Sequence, residues 1–174
     1  MPQSAWPLSP PENNMERGRD FLRAQVSNGV GQHKALLESL EKHRDQAEDA
    51  RYRDLCARYI PKMQGHQRML EEYRDSLGED EGKGLKKAIG RVFELTKDAV
   101  DAMRESDFLR LVETIIGIRH AQDTFAAFAA AGDQIGEPRL SEIGRTGEQH
   151  HDEMQRDFNR LAQQMFVEHV RATG

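Results

Sequence analysis

Across four long segments the apolar residues return at steps of three and four, and no strand pattern is evident anywhere in the chain. That period is the mark of a helix with one face turned to a core, so the chain is expected to be all-α. The clearest instance is the last segment, where Leu140, Ile143, Gly147, His151, Met154, Phe158, Leu161 and Met165 form one stripe. A first stripe runs through Phe21, Leu22, Val26, Val30, His33, Leu37 and Leu40, and a second through Tyr52, Cys56, Tyr59, Met63, His66, Leu70, Tyr73 and Leu77. Phe108, Leu111, Ile115, Ile118, Gln122, Phe125 and Ala129 make the remaining one.

Breaks between the stripes divide the chain into two helix hairpins. The polar run Asp45–Arg51 separates the first two helices, and the acidic, glycine-bounded Gly78–Gly82 ends that hairpin. Gly132–Arg139 closes the second hairpin, with Pro138 suited to the first turn of the final helix and Ser106 to the cap of the preceding one. Between the hairpins, Leu85, Ile89, Val92, Phe93, Val100 and Met103 describe a shorter amphipathic helix, a connecting element that packs on the bundle or serves a subunit contact. Gly29 and Gly31 suggest a break or kink near Asn28, and Pro61 a kink before His66. Residues 1–14 hold Pro2, Pro7, Pro10 and Pro11 and little to bury, which predicts a disordered tail before one bundle domain over 15–172.

Composition narrows the functional classes. Charged residues are 32% of the 174, and the net charge of −5 gives no electrostatic reason to expect nucleic acid or an anionic membrane surface. No apolar run approaches the roughly 20 residues that span a bilayer, and no basic region leads into an apolar one at the N-terminus, so a cytoplasmic location is expected. The single cysteine, Cys56, lies on an apolar stripe and reads as a core thiol.

Polar residues on the apolar stripes carry the functional signal. In Glu148-x-x-His151 a carboxylate and an imidazole stack on nearly one helix face, a spacing that can hold a metal ion. His33 and His66 both lie about 16 to 17 residues from the first turn, and at ~1.5 Å per residue antiparallel helices bring them to one level. Gln122, Glu148 and His151 fall within about one helical turn of one level when counted from the second turn. A layer of His33, His66, Gln122, Glu148 and His151 inside an apolar bundle must bond to itself, to water or to a metal, because unpartnered burial costs several kcal/mol.

Gly65-His66-Gln67-Arg68-Met69-Leu70-Glu71-Glu72, Arg119-His120-Ala121-Gln122 and Glu148-x-x-His151-x-Glu153 together resemble the ferritin-like superfamily, within it the bacterial stress-protein group typified by YciF. The resemblance covers approximately residues 30–164 and implies a ferritin-like antiparallel four-helix bundle with a dinuclear iron or manganese centre that reacts with oxygen or peroxide. Here His33 stands where the first helix would carry a glutamate, Met63 precedes His66, and Gln122 replaces the glutamate of the third long helix. Three outcomes follow: a mononuclear His-rich site, with zinc among the candidates, a dinuclear site borrowing Glu113, Asp123 or Glu153, or a bundle without metal that acts as a structural or interaction protein. A homodimer is expected in either functional class.

Overall fold

The computed structural model describes residues 12–78 and 106–172, all but the turns in four helices: α1 (Glu12–Gln46), α2 (Ala50–Ser76), α3 (Asp107–Ile135) and α4 (Pro138–Ala172). They form an all-α four-helix bundle of two antiparallel hairpins, α1–α2 and α3–α4, with α2 against α4 and α1 against α3. The expected connecting helix over 85–103 and residues 1–11 of the expected tail lie outside the described residues. The first helix starts at Glu12 rather than Met15.

Turn chemistry fixes the ends. Asp49 caps α2 by accepting from the Arg51 backbone N–H at 2.8 Å, while its own N–H donates to the Asp107 carboxylate at 2.6 Å. That second bond ties the start of α3 to the start of α2. Arg51 also pairs with Glu168 at 2.8 Å, which brings the last turns of α4 to the same end. At the opposite end Arg23 donates to the Leu77 carbonyl at 2.7 Å, and Gly136, at φ 72°, closes α3 in the left-handed conformation that favours glycine. Since α2 and α3 both start at the Asp49 end, the chain between Gly78 and Ser106 joins opposite ends of a bundle whose second helix is about 40 Å long.

Three sequence expectations are corrected. The helix α1 runs through Asn28 without a break, because Gly29 is a contact point: a methyl there would meet the Phe128 ring at 2.9 Å. Pro61 sits on the exposed face of an unbroken α2. Phe21 is 67% exposed rather than part of the core, whereas Ser106 holds the expected cap position of α3, without a side-chain cap bond.

Small residues set the α3–α4 distance. At Gly144 a methyl would fall inside the backbone of Ala129, at Gly132 inside that of Ser141, and at Gly147 inside the Phe125 ring. The Ala-rich run 125–131 therefore meets a glycine face on α4, and the two helices approach closely.

The apolar core is in two parts. One, around Leu40, Tyr52, Met63, Leu111, Ile118, Met154 and Phe158, fills the Asp49 end. The other, around Val26, Val30, Leu70, Tyr73, Phe125, Phe128, Leu140 and Ile143, fills the Gly78 end. In α1, α2 and α4 the residue between the two parts is a histidine: His33, His66 and His151.

A second buried polar group sits within the first part. Thr114 donates its hydroxyl proton to the Arg110 carbonyl at 2.8 Å, so it accepts from Tyr52 at 2.8 Å, and the Tyr52 oxygen in turn accepts from His43 Nδ1 at 2.7 Å. This chain bonds α1, α2 and α3 to one another.

Candidate metal centre

His33, His66 and His151 are buried to 2%, 2% and 0% exposure, and their ring centroids lie 6.2 Å (33–66), 5.5 Å (33–151) and 5.6 Å (66–151) apart. The equal heights expected from counting residues along each helix hold for all three. Phe125 of α3 covers the group, 5.0 to 5.6 Å from each imidazole. Its ring is pressed there by the backbone of Gly147, where a side chain would displace it.

The hydrogen bonds decide which nitrogens carry protons. His151 Nδ1 lies 2.7 Å from the Gly147 carbonyl, which only accepts, so Nδ1 is the donor and Nε2 keeps its lone pair. Gln67 Nε2 donates to the Glu71 carboxylate at 2.8 Å and towards the Val30 carbonyl, which turns the amide oxygen to His33 at 2.8 Å. His33 Nδ1 is then the donor and its Nε2 also keeps a lone pair. His66 Nε2 is 2.9 Å from His150 Nδ1, a bond that either ring can donate.

The inner nitrogens, His33 Nε2, His66 Nδ1 and His151 Nε2, are all buried without a hydrogen-bond partner among the described residues, as is the Gln122 amide oxygen. Burial pushes the pKa of all three imidazoles down: His33 is lowered despite Gln67 and Glu71, His66 falls to about 4 and His151 to about 3, with neighbouring imidazoles adding to the effect of burial in the last two. All three are neutral at pH 7, the state in which an imidazole can ligate.

A position equidistant from the three centroids is about 3.3 Å from each, close to the value for a metal bound to ring nitrogens at about 2.0–2.1 Å. Yet among the described residues no group of three or more His, Cys, Asp or Glu side chains stands ready to hold a metal ion.

The other expected residues divide. Gln122 is half-buried, one turn before Phe125, with its oxygen inside. Glu148 is half-buried, and no hydrogen bond or ion pair joins it to the histidines among the described residues. The alternative carboxylates are at the surface: Glu113 is exposed, Asp123 pairs with Arg119 at 3.8 Å and Glu153 with Lys62 at 3.1 Å. Two metal ions close together need bridging carboxylates to offset their charge, and none of these surface carboxylates joins the histidine layer among the described residues.

Two participants escaped sequence reasoning. Gln67 follows His66 and was legible as a buried amide only once its partner on α1 was known. His150 precedes His151, about 100° round the helix, and helical periodicity alone assigns it to the flank. Comparison with known protein families, with curated proteins and with solved structures finds no match to this chain.

Proposed function

We propose that this chain is a metal-binding helical bundle that takes one divalent transition-metal ion at the histidine layer, with His33 Nε2, His66 Nδ1 and His151 Nε2 as donors and the Gln122 amide oxygen as the fourth group. The observation that carries the reading is the set of three buried inner nitrogens without partners, two of them fixed as lone pairs by acceptors on their outer side. An outer acceptor of this kind orients a ligating imidazole and raises its basicity. Imidazole donors suit iron and zinc better than manganese, which prefers oxygen. Iron held there would supply one-electron redox chemistry towards oxygen or peroxide, as expected from the ferritin-like resemblance. The protein's own part is to keep the imidazoles neutral, exclude bulk water with Phe125 and the two apolar core regions, and hold α1, α2 and α4 in register.

The test is metal content and thermal stability of untagged protein, purified with and without chelator and titrated with Zn2+ or, anaerobically, Fe2+. About one equivalent should bind, and an excess of 100-fold over Kd should stabilise the fold by about 2.7 kcal/mol. The His33→Ala/His151→Ala double variant should lose both effects. Absence of binding in the wild type would leave the second reading, a metal-free interaction bundle with a purely structural histidine layer.

A further inference from the structure

His66 is the only buried histidine of the layer whose outer partner can both give and take a proton. The other two are held by acceptors alone, the Gly147 carbonyl for His151 and the Gln67 amide oxygen for His33. For His66 the partner is His150, on the flank of α4, half-buried, with ring centroids 4.9 Å apart and nitrogens 2.9 Å apart. The direction of that one bond decides what His66 shows to the interior. If His150 Nδ1–H donates, His66 carries its proton on Nδ1 and presents an N–H to the centre. If His66 Nε2–H donates, the Nδ1 lone pair faces inward, alongside those of His33 and His151.

We infer that His150 is a positioning residue for the metal centre: by accepting from His66 Nε2–H at its own Nδ1, it holds His66 in the tautomer whose Nδ1 can ligate. This rests on the metal-binding reading above. Without metal, an inward N–H on His66 facing two lone pairs is the electrostatically favoured arrangement. A cation in the centre reverses that preference, and the neutral His66–His150 pair then holds its protons on His66 Nε2 and His150 Nε2. The α2–α4 contact therefore does for His66 what a carbonyl does for His151, with the difference that it adapts to occupancy.

The experiment uses the full chain with Zn2+ and Co2+ as probes. His150→Leu removes the acceptor and should weaken Zn2+ binding by about 10- to 100-fold, whereas His150→Gln, whose amide oxygen can accept, should remain within about threefold of wild type. Two-bond 15N–1H spectra of the ring nitrogens of Zn2+-loaded wild type should show His66 protonated on Nε2 and His150 unprotonated on Nδ1. Co2+ absorption should report the same coordination in wild type and His150→Gln. Equal affinity in His150→Leu and wild type, or a loaded wild type with His150 Nδ1 protonated, would overturn the assignment while leaving the metal site standing. If the leucine variant does not fold, the ring spectra alone decide. A wild type that binds neither ion would instead remove the metal-binding reading on which this assignment rests.

Discussion

Lowering the pH of the metal-free protein from 7 to 5 should unfold it, or bring it close to unfolding. His43, His66 and His151 sit in the native state with pKa values of about 4, about 4 and about 3, against 6.5 in a solvated chain, and burial is the first cause in each case. Between the two values the unfolded chain binds a proton that the folded chain does not, so stability is complete above pH 6.5 and falls as the pH drops towards the folded pKa. One pKa unit is worth about 1.4 kcal/mol, so the step from pH 7 to 5 removes about 2 kcal/mol for each of the three, about 6 kcal/mol in all. His33 adds to the loss in the same direction. A single domain has about 5–15 kcal/mol to lose. Carboxylates whose pKa is lowered by ion pairs, such as Asp49, Glu153 and Glu168, act below the ordinary carboxylate range and leave this window to the histidines. Urea unfolding followed by far-ultraviolet circular dichroism, with chelator present, measures the change directly. A stability that moves by less than about 1 kcal/mol between pH 7 and 5 would show that these imidazoles are not held neutral by burial, and with that the electrostatic account of the layer would fail.

Two further outcomes test the packing. Gly144→Ala places a methyl against the Ala129 backbone, which has no side-chain freedom to yield, so it should cost about 1–3 kcal/mol or more in urea unfolding and separate α3 from α4. Tyr52→Phe removes the hydroxyl shared by His43 and Thr114 and leaves His43 Nδ1 only the longer 3.3 Å bond to the Thr114 hydroxyl. A loss of about 1 kcal/mol is expected, and Thr114→Val added to it should cost about a further 1–3 kcal/mol, because only then is His43 Nδ1 left buried without that network.

The helices and their levels were legible in the sequence because they depend on spacing along one chain. The three stripes that carry His33, His66 and His151 each place an apolar residue one turn to either side, and the rise per residue brings the imidazoles together. What spacing could not show was lateral. Gly29 resembles a helix breaker until Phe128 of another helix is seen lying on it. Gln67 and His150 sit beside core positions on their own helices, and only the neighbouring helix reveals that each holds the outer nitrogen of a buried imidazole. Glu148, three residues before His151, is half-buried, and spacing along α4 alone could not tell how far its carboxylate turns towards the layer.

The histidine layer is divided unequally between the hairpins, with His33 and His66 on the first and His151 and Phe125 on the second. Neither half carries all three imidazoles. Anything seated among the three rings would act as a rivet through both halves, so opening the molecule along that seam and emptying the centre would be one event rather than two.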